Sequence, residues 1–214
     1  MNQYEIKLEI SGPTAMWTRP DTGATPVSYP VPPWSAAKGI FESIARLKNA
    51  IIIPTEVEVC SPIIYHDYTT NYGGPLRKSE QIKKGDSFQH KATVLINVCY
   101  RLYAKIEDFA YIPQSLHEAA KLNGINSKHY CKDLFYRRLK NGRFHDTPCL
   151  GWREFVPNYI GRFRDSTKVE KSINEQMQSF LYSVFDPVSG ICNPRYVQNP
   201  EGRRIEEGRL EYAE

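Results

Sequence analysis

The amino-acid sequence predicts an α+β fold, and three observations support that prediction. Residues 4–12 (YEIKLEISG) alternate polar and apolar side chains, the two-residue period of a half-buried strand. Residues 35–48 and 127–142 instead place apolar side chains at helical spacing, and β-rich segments lie between and after them. The order strand, helix, strand, strand, helix, strand is that of a ferredoxin-like domain, the arrangement that RNA-recognition-like domains use.

The first predicted helix follows a long Pro/Gly/Thr-rich loop, residues 12–33. Ser35 is its expected N-cap, and its apolar stripe comprises Ala36, Ala37, Ile40, Phe41, Ile44 and Leu47. Gly39 in mid-helix costs about 1 kcal/mol relative to alanine. We expect it to allow tight packing of the helix on a sheet, with close approach of RNA as the alternative.

Two β-rich runs and a second helix follow. Residues 50–66 and 88–106 are predicted strands, and the polar stretch between them, residues 71–87, predicts a protruding hairpin tip or flexible loop. Ser127 is the expected N-cap of the second helix and Gly142 its terminator. Residues 147–156 (TPCLGWREFV) complete the predicted domain as a strand, so we place its boundary at residues 1–160.

The remaining segment, residues 161–214, predicts a small antiparallel β unit. Residues 177–198 suggest a hairpin around the turn DPVSG. The last fifteen residues, PEGRRIEEGRLEYAE, are rich in charge, so we expect an extended or mobile tail.

Composition excludes several classes of function. The five cysteines lack the spacing of a zinc site or a disulfide framework, and no Walker loop, GxGxxG, HExxH or metal-spaced carboxylate cluster occurs. We therefore expect no metal and no cofactor. The N-terminus lacks the layout of a signal peptide and no apolar run approaches about 20 residues, which favours a soluble, cytoplasmic protein without membrane contact.

Positive charge is concentrated in residues 126–164. The whole chain has a net charge of +4, whereas this segment has nine basic residues against three acidic ones. Aromatic residues alternate with the basic ones, so the segment predicts a phosphate-binding face with rings for base stacking. A solvated helix surface with core aromatics explains the pattern equally well. The basic residues are Lys128, Lys132, Arg137, Arg138, Lys140, Arg143, Arg153, Arg162 and Arg164.

Two blocks resemble a known family. TRPDTGATPVSYPVPPWSAAKGIFESI, residues 18–44, is similar to the front block of the Cas-five group of CRISPR-associated proteins, in its d variant. SKHYCKDLFYRRLKNGRFHDTPCLGWREF, residues 127–155, resembles that variant's second block, in which GKH, a basic helix and LGxREF follow in this order.

The resemblance implies a RAMP-superfamily subunit of a type I-C-like Cascade, an antiviral interference complex. Such a subunit cleaves precursor CRISPR RNA within its repeats, remains on the 5′ handle, and contacts backbone and large subunits, with target DNA only an indirect partner. The alternative is a non-catalytic subunit that caps the 5′ handle while a separate endoribonuclease performs processing.

The resemblance also implies a catalytic pair, Lys128 and His129, acting with a tyrosine just after the first helix. Ala45 stands where that tyrosine would be. Metal-independent cleavage by the ribose 2′-hydroxyl needs proton transfer, which an imidazole can supply, and a cation for the developing phosphoryl charge. Free N–H groups and the dipole of the helix start would also attract a phosphate. The expected RNA contacts are Arg19, Lys38, Arg46, Arg137, Arg138, Lys140, Arg143 and His145.

Overall fold

The computed structural model describes residues 4–72, 78–85, 88–108, 126–185 and 191–212. The helices are α1 (Trp34–Ile44), α2 (Ser79–Lys83) and α3 (Ser127–Asn141). The strands are β1 (Glu5–Ala15), β2 (Ala50–Val59), β3 (Tyr65–Tyr72), β4 (Phe88–Asp108), β5 (Tyr159–Gly161), β6 (Glu175–Phe185), β7 (Cys192–Ile205) and β8 (Arg209–Glu211).

The architecture is mixed α/β with antiparallel sheets. Within the described ranges, the main sheet has the order β5-β1-β4-β2-β8, and β3 pairs with the first half of β4. The length of β4, 21 residues, allows it to pair with β1, β2 and β3. β6 and β7 form a separate two-stranded sheet. The prediction of a fold that combines helices with mainly antiparallel strands is confirmed.

Among the described residues, a hydrophobic core joins the main sheet to α1 and α3. Leu8, Ile52 and Leu102 from three neighbouring strands are buried in the same cluster as Phe41 of α1 and Phe135 of α3. The rings of Phe41 and Phe135 lie 5.8 Å apart, centroid to centroid. The helical periodicity of both segments therefore reflects the stripe that each helix buries.

Charged side chains occupy the alternating positions of the same strands. Glu9 is fully buried between Arg164, whose Nε lies 2.5 Å from Oε1, and Arg101, whose Nε lies 3.4 Å from Oε2. The Thr167 hydroxyl also donates to Glu9 Oε1 at 2.9 Å. These bonds hold the segment after β5 against the sheet and satisfy a carboxylate that would otherwise be costly to bury.

The expectation of a strand at residues 147–156 is wrong. The chain makes a tight loop there, with Leu150 N–H donating to Phe155 O and Met16 N–H donating to Leu150 O. Gly151 has φ +92°, and a Cβ at that residue would lie 1.8 Å from Met16 O. This backbone conformation and close approach exclude a regular strand, and the strand that follows α3 in the main sheet is β5 instead.

Three smaller expectations are also corrected. α1 begins at Trp34 after Pro33 without a side-chain cap, so Ser35 is not its N-cap. The N-cap of α3 is Asn126, one residue before Ser127. A Cβ on Gly39 would meet nothing within 4 Å, so Gly39 does not mediate tight helix-to-sheet packing. The α3 terminator is confirmed, because Gly142 has the left-handed φ of +63°.

The C-terminal segment packs where a mobile tail was expected. β7 extends to Ile205, and β8 pairs with β2 at residues 56–58. Ile205, Leu210 and Tyr212 are each at most 3% exposed. These three apolar side chains, among many charges, are enough to attach the segment to the core. The predicted β6–β7 hairpin is confirmed, and its turn, residues 186–190, lies outside the described residues.

The predicted protrusion is a β3–β4 connection. The two strands pair in continuous register, and α2 lies between them. Residues 73–77 and 86–87 of the polar stretch lie outside the described part of the chain. The division of the chain at residue 160 stays a prediction.

Candidate nucleic-acid interface

The start of α3 is organised by Asn126. Its side-chain Oδ1 accepts hydrogen bonds from the backbone N–H groups of Lys128 at 3.0 Å and His129 at 3.2 Å. These two groups are therefore engaged, and the expectation that they are free for a phosphate is wrong. The dipole of the 15-residue helix and the side chains remain available to attract an anion.

Lys128 lies between an acidic and an aromatic side chain. Its Nζ is 3.2 Å from Asp108 Oδ2, at the end of β4, and 5.0 Å from the centroid of the Tyr4 ring. The side chain is 29% exposed, so the ammonium is held in place and still reaches solvent. Such an ordered cation can take part in binding a phosphoryl oxygen without first being immobilised.

His129 is the more accessible member of the pair. Its side chain is 66% exposed, and Nε2 lies 3.4 Å from Asp133 Oδ2, one helical turn further on. The carboxylate can orient the imidazole. Because this partner is equally exposed, the contact can give way when a substrate approaches.

Tyr4 is the residue that the sequence did not reveal. Its hydroxyl accepts a hydrogen bond from Asn126 Nδ2 at 3.0 Å, and its ring lies below the Lys128 ammonium. Asn49 donates to Ser127 Oγ at 2.8 Å and fixes the loop after α1 to the same helix start. Tyr4 precedes β1, far from residue 128 in the chain, so only the folded structure brings them together.

Ala45 lies in the protein interior. Its exposure is 0%, and its backbone N–H donates to Phe41 O at the end of α1. The resemblance implies a catalytic tyrosine at this position, but a side chain enclosed in this way does not face a substrate. The adjacent residue, Arg46, is exposed.

A groove of about 560 Å³ lies beside the end of α1. Three of the expected RNA contacts, Lys38, Arg46 and His145, line its wall together with Lys48. Lys38 forms an ion pair with Glu42, which also lines the groove. The structure therefore places Lys38, Arg46 and His145 together, on a part of the chain that the Asn49–Ser127 bond joins to α3.

The other predicted RNA contacts differ in their surroundings. Arg137, Lys140 and Arg143 are exposed on α3 and the turn after it. Arg138 is partly buried and donates from a terminal guanidinium nitrogen to Ile44 O at 3.1 Å, so it connects α3 to the end of α1. Arg19 forms a two-point ion pair with Asp21 and lies over the Tyr29 ring, away from this helix.

The aromatic residues of the basic segment serve mainly the core. Phe135 is fully buried, and Trp152 stacks on Phe155 at 5.7 Å between centroids. Tyr130, next to His129, is 46% exposed. Among the described residues of this segment, it is the aromatic side chain that is largely open to solvent. The aromatic residues of this segment were expected either to stack on bases or to pack in the core. Most of these rings pack in the core, and Tyr130 is the one that is placed to stack on a base.

Metal sites and membrane-spanning helices are both absent from the described residues. No group of three or more His, Cys, Asp or Glu side chains is arranged to hold a metal ion there. Among the helices that the structure describes, none has the length and apolar content needed to cross a bilayer.

The fold and this helix start define a mixed α/β protein with an ordered lysine–histidine pair beside a basic groove. A family profile described as CRISPR-associated protein (Cas_Cas5), in its Cas5d form, matches residues 5–172. The chain therefore belongs to the Cas5 family of CRISPR-associated proteins, in its d group.

Two curated relatives carry the name CRISPR pre-crRNA endoribonuclease Cas5d. The protein from Thermus thermophilus is 29% identical over 160 residues, which cover 72% of this chain and 62% of the relative. The protein from Mannheimia succiniciproducens is 26% identical over 163 residues, covering 72% of this chain and 71% of the relative. The chain thus spans less than two thirds of the Thermus protein.

Solved structures share the fold. A crystal structure of a CRISPR-associated protein superposes with a TM-score of 0.67 at 18% identity, covering 98% of this chain and 92% of the other. A functionally uncharacterised Streptococcus mutans protein gives 0.65 at 18% identity, with the same coverage. A chain of a CRISPR RNA-guided surveillance complex gives 0.51 at 15% identity, covering 90% and 89%.

Proposed function

We propose that this chain is a subunit of a type I-C-like Cascade that binds the 5′ handle of CRISPR RNA and cleaves precursor CRISPR RNA within its repeats. The observation that carries the proposal is the placement of Lys128 and His129 in the first turn of α3, with Tyr4 beside them. The names of the two curated relatives support the same activity.

The reaction is attack of a ribose 2′-hydroxyl on the adjacent phosphate, which releases the 5′ oxygen and leaves a 2′,3′-cyclic phosphate. His129 accepts the proton of the 2′-hydroxyl, and the departing 5′ oxygen takes up a proton from water or from the resulting imidazolium. An imidazole can both accept and donate a proton, and this side chain is open to solvent. Lys128 stabilises the charge that develops on the phosphoryl oxygens. No step requires a metal ion.

Tyr4 is the candidate for the third group. Its hydroxyl belongs to the same hydrogen-bonded cluster as the helix cap, and its ring contacts the Lys128 ammonium. A phenol here can orient the lysine or donate a proton to a phosphoryl oxygen. This role compensates for Ala45, whose buried position cannot present a side chain to substrate.

RNA would approach across the basic surface next to this site. We propose that the exposed Arg137, Lys140 and Arg143 bind phosphates, and that the groove of Lys38, Arg46 and His145 holds a further part of the handle. Arg138 is proposed to support this surface indirectly, since it bonds to the end of α1, whereas Arg19 is bonded to Asp21 and would be a separate RNA contact.

The finer description of the fold belongs to the same proposal. The order β5-β1-β4-β2, with α1 after the first strand and α3 before β5, supports a ferredoxin-like, RNA-recognition-like domain. Backbone and large Cascade subunits are the proposed protein partners, target DNA an indirect one, and the cytoplasm the proposed location.

A non-catalytic subunit that caps the 5′ handle is the second candidate. It is favoured by Ala45, because the resemblance implies a tyrosine at this position and alanine has no hydroxyl. In that case Lys128 and His129 would bind the handle without cleaving it, and a separate endoribonuclease would perform processing.

The test is cleavage of labelled repeat RNA in EDTA, analysed on a denaturing gel. We expect cleavage by the unaltered protein, loss of at least a hundredfold in rate for His129→Ala, and a comparable loss for Lys128→Ala, with handle affinity retained. His66→Ala is the matched control, since His66 is exposed and pairs with Val94, whereas Lys128 contacts the opposite end of β4. Tight handle binding with no cleavage by the unaltered protein would establish the second candidate.

A further inference from the structure

A second cavity lies where β8 ends, beside the start of α1. β8 pairs with residues 56–58 of β2, so within the described chain the preceding residues of β2 have no strand partner on that side. They border a cavity of about 600 Å³. Its opposite wall comprises Trp34 at the start of α1, Tyr182 and Ser183 of β6, and Arg195 of β7. We call this space the β2-edge cavity.

Two buried polar atoms on this wall lack hydrogen-bond partners. Trp34 Nε1 and Ser183 Oγ are unsatisfied, although Trp34 is only 8% exposed and Ser183 only 2% exposed. They are the two buried unsatisfied side-chain atoms among the described residues. A buried polar group without a partner is costly to the fold, and both residues line the same cavity. Both atoms are covered in this structure, so an acceptor from outside the chain would reach them, and remove that cost, only once the cavity wall adjusts.

Two carboxylates face each other on the adjacent wall. Glu56 of β2 and Glu211 of β8 are directly opposite across the strand pair, an arrangement of like charges that destabilises a sheet. Burial, together with Glu58 and Glu211, raises the pKa of Glu56. The nearby Arg209 is bonded to Glu58 at 2.8 Å. The pair of carboxylates therefore provides a place for an additional cation.

The other charged residues of the cavity leave its lining with an excess of negative charge. Lys105 is paired with Glu107 at 2.7 Å, and the guanidinium of Arg195 lies over the Tyr182 ring. Three carboxylates thus line the cavity with two cations. A phosphate-bearing ligand would be repelled, whereas a lysine or arginine side chain would be attracted.

We propose that the β2-edge cavity docks an extended, basic segment of a partner protein. The cationic side chain of that segment lies against Glu56 and Glu211, and its main-chain carbonyl groups accept hydrogen bonds from Trp34 Nε1 and Ser183 Oγ. The aliphatic part of that cationic side chain packs on an apolar surface, which is formed by Ile51, Ile53 and the stacked Trp34–Tyr182 rings.

The part of the β2 edge that no described strand covers explains why the segment is extended. Residues 50–53 present backbone groups on the side that β8 leaves uncovered, and an extended peptide can add to such an edge. Pro54 has no N–H and ends that pairing, as proline does at sheet edges. The docked segment is therefore short. This inference rests on the proposed function in one respect, namely that the partner protein is another subunit of the same Cascade.

The experiment uses the full chain co-expressed with repeat RNA and the other Cascade proteins of its locus. Two conservative variants are compared with the unaltered chain, namely Ser183→Ala and the double variant Glu56→Gln/Glu211→Gln. Each removes an unsatisfied or repelled group, so thermal unfolding of the isolated variant is expected at the same or a higher temperature. Association with the other subunits is nevertheless expected to weaken at least tenfold for the double variant and severalfold for Ser183→Ala. Asp165→Asn, which removes an exposed carboxylate outside the cavity, is the control and is expected to associate normally.

Handle affinity and cleavage by the isolated chain distinguish the possible failures. Both are expected to be unchanged in these variants. Unchanged association would overturn the inference while leaving the proposed function intact. A tenfold loss of handle affinity with normal association would also overturn it, because the cavity would then bind RNA. If the unaltered chain fails to associate with the other subunits, both the inference and the proposed partners are wrong.

Discussion

The Lys128 ammonium lies 5.0 Å from the centroid of the Tyr4 ring, and Tyr4 shares a hydrogen bond with the cap residue of the same helix. The contact joins the segment before the first strand to the start of the last helix. Tyr4 therefore supplies a phenol beside the proposed catalytic pair, whereas the segment after α1 has Ala45 and supplies none.

Replacing Tyr4 with phenylalanine tests this contribution. Tyr4→Phe keeps the ring under the ammonium and removes the hydroxyl. We expect the cleavage rate in EDTA to fall by roughly 10²-fold, at the lower end of the usual effect of a general acid-base group, with handle affinity unchanged. Single-turnover rates on labelled repeat RNA measure the effect.

Asn126→Asp is the matched control for Tyr4→Phe. Aspartate caps a helix as well as asparagine does but has no amide N–H to donate to the Tyr4 hydroxyl. If both variants lose activity equally, the hydroxyl acts by holding the helix start. Loss only in Tyr4→Phe indicates that the hydroxyl acts on the substrate.

Ala45→Tyr is expected to destabilise the protein without accelerating cleavage. Ala45 is wholly enclosed, so a phenol ring there must displace core atoms, at a cost of about 1–3 kcal/mol. We therefore expect a lower melting temperature and no gain in rate. Arg46→Tyr places the same ring at the neighbouring exposed position and should leave the melting temperature nearly unchanged. Faster cleavage by a stable Ala45→Tyr protein would contradict the burial argument.

The basic face should determine the salt dependence of RNA binding. Each phosphate contact on single-stranded RNA contributes about 0.7 to the slope of log affinity against log salt. Replacing the exposed Arg137 and Lys140 with alanine should reduce that slope with little change in stability. An unchanged slope would place the RNA path elsewhere.

Arg138→Ala is expected to behave differently from its two neighbours. Arg138 donates to Ile44 O, and its loss leaves that carbonyl without this partner. We expect a decrease of about 1–3 kcal/mol in the free energy of unfolding. Urea denaturation of the three alanine variants, compared with their salt slopes, separates the structural arginine from the proposed RNA contacts.

Glu9 predicts a specific loss of stability in acid. Burial alone would raise the pKa of Glu9, but hydrogen bonds from Arg164 and Thr167 hold that pKa below its ordinary value of 4.5. A carboxyl group whose pKa is lower in the folded state stabilises the fold above the unfolded-state pKa, and this contribution disappears as the pH falls through the folded-state pKa.

Glu9→Gln measures that contribution. At pH 7 we expect the variant to be less stable by about 1–3 kcal/mol, a modest value because Arg164 is 40% exposed and solvent screens its charge. The difference from the unaltered protein should decrease steadily below pH 4.5. A difference that is independent of pH from 7 to 3 would show that the ion pairs of Glu9 contribute nothing.

Local patterns in the sequence were sufficient to predict most of the fold. The alternation in β1, the apolar stripe of α1 and the stop at Gly142 were each recognisable, because these features depend on residues a few positions apart. The strand expected at residues 147–156 failed because Gly151 packs against Met16, a contact that no local pattern encodes. The C-terminal segment was misjudged in the same way, since its few apolar residues reach a sheet edge formed by β2.

The placement of Lys128 and His129 at a helix start and the basic character of that helix follow from the sequence alone. Folding is what brings Tyr4 beside them, encloses Ala45, bonds Arg138 within the protein, and places Trp34 and Ser183 on one cavity. The reason is physical. Helix periodicity and charge are properties of neighbouring residues, whereas burial and long-range contact depend on how the strands and helices pack together.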